Sequence, residues 1–285
     1  MWSCAKRNVL YSRASSGRVA NSHIAVLPRM NKTRLKESLL VGLKNFVESR
    51  GFLVRRRDRI GGDPFIDMAR LAGGNSPLIF DVGANIGQSI EKFRSLFADP
   101  LIHSFEPGLE SFSILRSKYR GTPGIAALNN FGLGSRDETR ELIENSISRM
   151  SSFWEPGRDC FGAVVAREVR EIRSLDSYSI ERRNSHIDIL KTDTQGFDLE
   201  VLKGSEKMIR GHRIHLLLVE LTFMQLYQNA PRVDELLKFI LDRGLELIST
   251  YEVIHRNNRA GETDALFVDP QFLKPVLYKQ DSTFA

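Results

Sequence analysis

The sequence is poor in cysteine and lacks long apolar runs. Its 285 residues include two cysteines, Cys4 and Cys160, too few for a disulfide framework or for a zinc site closed by cysteine ligands. This scarcity favours a reducing, cytoplasmic compartment. The apolar run Leu216–Val219 stops at Glu220, whereas a membrane-spanning helix needs roughly 20 apolar residues. The sequence therefore predicts neither a disulfide-stabilised secreted domain nor a membrane-spanning helix.

Acidic residues are absent from residues 1–30, and the charge of the chain is uneven. Residues 1–60 carry fourteen Lys and Arg against three Asp and Glu, whereas residues 61–285 carry 27 against 32. Because the larger part is net acidic, it would repel a phosphate backbone, and we expect no nucleic-acid partner. The composition of residues 1–30 is found in organellar transit peptides and in disordered basic tails. We favour a disordered tail, with Met30 as a second candidate start.

A helical extension at residues 31–76 is predicted to precede the main domain. Apolar residues recur at helical spacing from about Thr33 to Ser49, and a second short helix is predicted from Pro64 through Leu71. The main domain is placed at residues 77–270, followed by a C-terminal tail at 271–285.

Strands and helices alternate throughout the main domain. This alternation is typical of an α/β fold with a doubly wound, mostly parallel sheet and helices on both faces. The predicted strands are Leu78–Val82, Leu101–Phe105, Ile125–Leu133, Ile187–Thr192, His215–Glu220, Leu245–Ser249 and Ala265–Val268. Residues 145–170 are predicted to be a loop-rich insert. Its aromatic pair, Phe153 and Trp154, would either cover a bound sugar or pin the loop to the core.

The segment Asp81–Gly87 (Asp-Val-Gly-Ala-Asn-Ile-Gly) follows the first predicted strand and opens a helix. Open α/β sheets bind ligands at this position, where glycines permit a tight turn and helix N–H groups face an anion such as a carboxylate. The segment lacks the spacing of a dinucleotide-binding G-x-G-x-x-G turn and the Lys-Ser/Thr of a Walker loop. Glu106, at the end of the second predicted strand, is placed to accept both hydroxyls of a ribose. These features predict a nucleoside-containing ligand.

Taken together, Asp81–Gly87 and Glu106 resemble the motifs of class I S-adenosylmethionine-dependent methyltransferases. Within that superfamily, Ile187–Gly204 resembles the hallmark segment of the FkbM-type methyltransferases. Three further segments resemble that family in the same order along the chain: Gly62–Asp67, Ser174–Tyr178 and Asp264–Val268. The resemblance covers roughly residues 60–268.

The resemblance implies a Rossmann-like, seven-stranded sheet with a reversed C-terminal hairpin. It also implies transfer of a methyl group from S-adenosyl-L-methionine to a hydroxyl of a sugar, a glycan or a secondary metabolite. Glu106 would bind the cofactor's ribose, and Leu133 would flank its adenine. The residues implied at the methionine end are Asp81, Gly83, Asn85, Gly87 and Asp193. A non-catalytic nucleoside-binding module is the alternative, although such a module would not need two carboxylates in its cleft.

An alcohol acceptor has to lose its proton, and four residues are candidates for this chemistry. Asp193 follows the fourth predicted strand, and Glu220 ends the fifth. Either could be the general base, or both could hold a divalent cation that acidifies the hydroxyl. We expect no metal, because the further oxygen ligands that such a cation needs cannot be placed. Lys191 shares a strand face with Asp193, as a structural ion-pair partner or as a catalytic group. His255 is predicted in the turn between the last two strands, as a catalytic group or an exposed loop histidine.

Overall fold

The computed structural model describes residues 32–50 and 59–273. The predictions for residues 1–30, and for most of the tail at 271–285, lie outside the described residues. Among the helices that the structure describes, none is long and apolar enough to cross a bilayer.

The chain divides into two compact units, Met1–Val54 and Arg55–Ala285. The described element of the first unit is α1 (Lys32–Ser49), in agreement with the predicted helix from Thr33. In chain order the elements of the second unit are α2 (Pro64–Leu71), β1 (Leu78–Val82), α3 (Gln88–Leu96), β2 (Leu101–Phe105), α4 (Leu109–Tyr119), β3 (Ile125–Asn129), β4 (Gly132–Leu133), β5 (Glu138–Asn145), a 3-10 turn (Ser148–Met150), β6 (Val164–Arg173), α5 (Leu175–Arg182), β7 (Ile187–Thr192), α6 (Asp198–Lys203), α7 (Glu206–Arg210), β8 (Ile214–Thr222), α8 (Val233–Leu241), β9 (Glu246–Thr250), β10 (Ile254–Arg256), β11 (Arg259–Val268) and α9 (Pro270–Leu273).

The larger of two sheets has the strand order β10–β11–β8–β7–β1–β2–β3, and β9 pairs with β11. Strands β3, β2, β1, β7 and β8 run parallel to one another. Strand β11 is antiparallel to β8, and β9 and β10 pair antiparallel with its two halves. The predicted fold class, with its reversed C-terminal strands, is confirmed. The short strand β10 adds an eighth strand to the seven that the resemblance implies.

Apolar side chains cover both faces of this sheet. On one face Ile79 packs in a cluster with Met68 of α2 and Phe93 of α3. On the other face Phe80 packs in a cluster with Tyr178 of α5. Because the central strands are buried on both sides, apolar residues predominate in them.

Part of the predicted loop-rich insert belongs to a second, three-stranded sheet in the order β4–β6–β5. Strand β5 pairs antiparallel with β6, and β4 pairs with the end of β6. The predicted third strand is accordingly split between β3 of the larger sheet and β4 of the smaller one. Sequence analysis missed β6 because Arg and Glu alternate with its few apolar residues, which hides the pattern of a buried strand. The predicted helix Leu199–Ile209 is likewise divided into α6 and α7.

Helix α2 packs in the core of the second unit, although its sequence places it in the predicted extension. Asp63 caps the helix with its side chain. Asp67 is fully buried, and its carboxylate accepts the Gly61 N–H at 2.7 Å and the Tyr251 hydroxyl at 3.0 Å. Since Tyr251 follows β9, this carboxylate connects α2 to an element almost 200 residues further along the chain.

Removal of the Tyr251 hydroxyl tests this connection. We expect Tyr251→Phe to lower the free energy of unfolding by about 1–3 kcal/mol, because the buried Asp67 carboxylate loses a hydrogen-bond donor. Urea unfolding followed by circular dichroism measures the change, which should appear as a lower midpoint with an unchanged slope. A midpoint equal to that of the wild-type protein would show that the hydroxyl does not stabilise the fold.

Candidate active site

A cleft of about 630 Å³, its open mouth included, lies at the carboxyl ends of β1, β2 and β7. We call it the first cleft. The strand order changes direction at β1, which is where open α/β sheets bind ligands. Its lining residues are Val82, Gly83, Asn85, Phe105, Glu106, Pro107, Gly132, Leu133, Leu142, Ser148, Arg149, Ser151, Ser152, Phe153, Asp193, Thr194, Gln195 and Phe197.

The turn between β1 and α3 requires a glycine at Gly83. Its φ is +78°, and a Cβ at this position would overlap the backbone carbonyl oxygen of Asp193. The N–H groups of Gly83 and Ala84 both donate to the Phe105 carbonyl at 3.0 Å. Backbone from three strand ends therefore meets at one edge of the first cleft.

Glu106 faces the first cleft with both carboxylate oxygens anchored. Oε2 accepts the Asn85 N–H at 2.9 Å, and Oε1 accepts the Gly108 N–H at 2.8 Å. Burial raises the pKa of Glu106 to about 7, although these two N–H groups oppose the shift. Each anchored oxygen keeps a lone pair for a ligand hydroxyl. The geometry therefore suits the predicted contact with a ribose.

Five of the predicted cofactor residues line the first cleft, and two do not. The five are Gly83, Asn85, Glu106, Leu133 and Asp193. Asp81 is fully buried and pairs with Lys191 instead of lining the first cleft. Gly87 begins α3 with φ +95°, and a Cβ there would overlap the ring of Tyr119. The packing against Tyr119 by itself requires a glycine at this position.

A row of ionisable side chains crosses one face of the sheet beside the first cleft. Asp81 on β1 is opposite Lys191 on β7. Lys191 Nζ lies 3.3 Å from Asp81 Oδ1 and 3.8 Å from Asp193 Oδ2. Glu220 on β8 is opposite Asp264 on β11. Burial by itself would lower the pKa of Lys191, but the charges of Asp81 and Asp193 outweigh it and raise the pKa, so Lys191 stays protonated.

The carboxyl groups of Glu220, Asp264 and Asp198 bind protons more tightly than ordinary carboxyl groups. Burial raises the pKa of Glu220 well above its usual value, and the charges of Asp193 and Asp198 raise it further. Burial also raises the pKa of Asp264 to about 6 and that of Asp198 to about 6. Like charges directly opposite on neighbouring strands repel each other. We therefore expect Glu220 or Asp264 to hold a proton near neutral pH.

Asp193 is held by a chain of hydrogen bonds that sequence analysis did not foresee. Gln195 Nε2 donates to Asp193 Oδ1 at 2.9 Å, and the Tyr227 hydroxyl donates to Gln195 Oε1 at 2.8 Å. The same hydroxyl lies 3.2 Å from the Met150 carbonyl oxygen. Tyr227 follows β8 and Met150 belongs to the insert, so the chain of contacts joins three separate segments.

The aromatic pair of the insert anchors the insert to the β7–α6 loop. Trp154 Nε1 donates to the Gly196 carbonyl at 3.0 Å, and Ser152 Oγ donates to the Gln195 carbonyl at 2.7 Å. The ring of Phe153 packs on that of Phe197 with centroids 5.1 Å apart. Of the two roles considered for this pair, anchoring to the core is the one that these contacts support.

A second cleft, about 1000 Å³ with its open mouth included, adjoins the first across the β7–α6 loop. Gln195 lines the first cleft, and the next residue, Gly196, lines the second. Most of the second cleft is formed by the segment 222–234, which connects β8 to α8. Thr222 lies two residues after Glu220 and therefore on the same strand face. Glu220 itself lines neither cleft.

His255 does not occupy the predicted position. It lies in strand β10 and not in a turn, and Nδ1 of its exposed ring donates a hydrogen bond to the Val253 carbonyl oxygen at 3.0 Å. It lines neither cleft. By contrast, the serines of the 148–152 segment line the first cleft although no motif marks them. Their only sequence signal is the density of small polar residues in the insert.

The family model described as Methyltransferase FkbM domain matches residues 81–247. This match spans more than half of the chain and includes Glu106, Asp193 and Glu220. The chain belongs to the FkbM methyltransferase family. It is an S-adenosylmethionine-dependent methyltransferase, which sets aside the non-catalytic nucleoside-binding module. A comparison with curated proteins gave no match.

Several solved methyltransferase structures are similar at low identity. An rRNA methylase from Streptococcus thermophilus has 10% identity and a TM-score of 0.42, with 76% of this chain and 99% of that chain covered. Fibrillarin from Aeropyrum pernix, with natively bound S-adenosyl-L-methionine, has 11% identity and a TM-score of 0.38, with 70% and 68% covered. Magnesium protoporphyrin IX methyltransferase from Synechocystis PCC 6803 has 10% identity and a TM-score of 0.38, with 82% and 83% covered. Values this low assign no substrate.

Replacement of Glu106 tests its contact with the cofactor. At pH 8 we expect Glu106→Gln to weaken binding of S-adenosylmethionine by about 1–3 kcal/mol, because the amide offers fewer acceptor lone pairs to the ribose hydroxyls. The difference should shrink below pH 7, where the wild-type carboxyl group becomes protonated and resembles the amide. Isothermal titration calorimetry at pH 6 and pH 8 measures both effects.

The matched control is Glu110→Gln in α4, outside both clefts. It should bind the cofactor like the wild-type protein at either pH. Wild-type affinity in folded Glu106→Gln at pH 8 would remove Glu106 from the ribose site.

Proposed function

We propose that this enzyme transfers the methyl group of S-adenosyl-L-methionine to a hydroxyl of a sugar, a glycan or a secondary metabolite. The observation that carries the proposal is the pair of adjoining clefts, separated by the loop that begins at Asp193. The first cleft suits a nucleoside, and the second is large enough for a ring compound. Glu220 lies on the same strand face as Thr222, which lines the second cleft, where an acceptor hydroxyl would bind.

The first cleft has the features that the cofactor requires. Glu106 would bind the ribose hydroxyls, and Leu133 offers an apolar wall for the adenine. Gly83 and Asn85 present backbone at the end of β1, where the methionine part would lie. When bound, S-adenosylmethionine supplies a methyl group on a positively charged sulfonium, activated for direct displacement. The carboxylate of Asp193 lies where it would favour that positive charge.

The composition of the second cleft supports a small hydroxylated acceptor. Phe223 and Met224 offer apolar area against which a ring can pack. The two arginines of its lining each pair with a nearby aspartate, Arg158 with Asp159 at 3.4 Å and Arg232 with Asp234 at 2.9 Å. Since the neighbouring row of carboxyl groups is acidic, a phosphate backbone would be repelled. These features favour a sugar or metabolite over a nucleic acid.

Glu220 is better suited than Asp193 to accept the proton of the acceptor hydroxyl. Its raised pKa makes it a stronger base than an ordinary glutamate. Asp193 has one oxygen bound by the Gln195 amide and the other near the Lys191 ammonium. Both contacts hold the Asp193 carboxylate in a fixed position, which suits it to orient the acceptor. We assign proton removal to Glu220, orientation of the hydroxyl to Asp193, and the positioning of Asp193 to Lys191.

A substrate screen tests the acceptor class. The protein is incubated with S-adenosylmethionine that carries a labelled methyl group, together with monosaccharides, glycans, hydroxylated metabolites and RNA in separate reactions. We expect label in a stable methyl ether on a sugar or metabolite hydroxyl. Label found only in RNA, or only on nitrogen, would overturn the proposed acceptor while leaving the methyltransferase assignment intact.

The second test concerns the base. Glu220→Gln should lower kcat by about 10²–10⁴-fold, the usual effect of removing a general base, and should change cofactor affinity little. In the wild-type enzyme kcat/KM should rise with pH until Glu220 is ionised, and this rise should disappear in the variant. Glu246→Gln on β9 carries the same substitution at an exposed position and should behave like the wild-type enzyme.

Two results would revise the roles of the carboxylates. Near-normal kcat in Glu220→Gln with a strong loss in Asp193→Asn would make Asp193 the base. In the described ranges, no group of three or more His, Cys, Asp or Glu side chains is arranged to hold a metal ion. Activity lost in EDTA and restored by Mg²⁺ would nevertheless replace general-base catalysis with a metal-assisted route.

A further inference from the structure

Strand β6 has an edge that is almost entirely unpaired in the described part of the chain. One edge of β6 pairs with β5 from Val164 to Ile172. On the other edge, the described residues pair only at the end of the strand, where Ile172 and Arg173 meet β4. The apolar side chains near this open edge are well exposed, at 42% for Val164, 62% for Val165 and 69% for Val169. Proteins usually cover or interrupt an edge of this kind.

The backbone N–H and C=O groups of successive residues in β6 point to alternate sides, and this determines which of them face the open edge. The Arg173 carbonyl points to that side, because it accepts the Gly134 N–H at 3.0 Å. Along a strand the N–H and C=O of every second residue point to the same side. Glu171, Val169 and Arg167 therefore direct their N–H and C=O groups to the open edge.

The sequence of the open edge is complementary to itself when two copies run antiparallel. Around Val169, the order of the five residues is Arg-Glu-Val-Arg-Glu, from Arg167 to Glu171. If Val169 of each copy is opposite Val169 of the other, Arg167 is opposite Glu171 and Glu168 is opposite Arg170. Both pairs have opposite charges, and they lie on the two different faces of the strand.

Other registers lack this complementarity. A pairing centred on Arg167 or on Glu171 brings two like charges face to face. The register centred on Val169 also matches the backbone, since Val169 and its partners Arg167 and Glu171 are the residues that direct their hydrogen-bonding groups outward. Glu168 and Arg170 already form an ion pair within the chain, so two copies would create four alternating charges.

We propose that two copies of this chain pair antiparallel through the open edge of β6, with Val169 on the two-fold axis. The paired stretch runs from Arg167 to Glu171, because Ile172 and Arg173 are occupied by β4. The two small sheets then form one continuous sheet. A two-fold axis requires a surface that is complementary to itself, and the charge order of β6 has this property.

Sedimentation of the full-length protein over the micromolar concentration range tests the pairing. We expect a reversible dimer for the wild-type chain. Val169→Lys should be monomeric, because two lysines would face each other on the axis. Val165→Lys is the matched control: it makes the same change on the same strand face, outside the paired stretch, and should remain dimeric. Circular dichroism should show that both variants fold.

A charge exchange tests the register. Glu168→Arg alone should weaken the dimer, because arginine would then be opposite Arg170, whereas the double variant Glu168→Arg/Arg170→Glu should restore it. A wild-type monomer at all concentrations would overturn the proposal, as would a dimer that Val169→Lys leaves intact. A monomer in which the Val169 amide exchanges slowly with deuterium would assign the edge to another segment of the chain.

Discussion

The active site depends on one buried ammonium group, that of Lys191. It lies on the central strand β7, between Asp81 on β1 and Asp193 at the strand end. Removal of this positive charge would leave Asp81 as an unpaired charge in a fully buried position, and breaking a buried pair in this way destabilises a protein by about 3–5 kcal/mol. The same ammonium lies 3.8 Å from Asp193 Oδ2. The arrangement of the carboxyl groups beside the first cleft thus depends on a structural ion pair in the sheet.

The features that could be predicted correctly are those that depend on the pattern of neighbouring residues along one strand. Glu106 follows the predicted strand Leu101–Phe105, and Glu220 follows the apolar run Leu216–Val219. Their placement at one edge of a parallel sheet therefore follows from the strand pattern. Asp264 was not predicted as part of the site, because its position opposite Glu220 depends on the register between β11 and β8. The packing of Gly87 against Tyr119 depends on contacts across 32 residues. Contacts between residues so far apart in the chain cannot be predicted from a single sequence.

The insert contributes to more of the molecule than its irregular sequence suggests. Ser152 and Trp154 bind carbonyl groups of the β7–α6 loop, and Pro156 forms an isolated bridge with Tyr227. The insert therefore forms walls of both clefts. Its continuation, β6, carries the surface through which we propose that two copies associate.

Gly83 lies directly against the backbone carbonyl of Asp193. No space remains between the β1–α3 turn and the β7–α6 loop, so neither segment can slide toward the other. Any side chain at position 83 would push these two segments apart, so the spacing at this edge of the first cleft depends on the glycine.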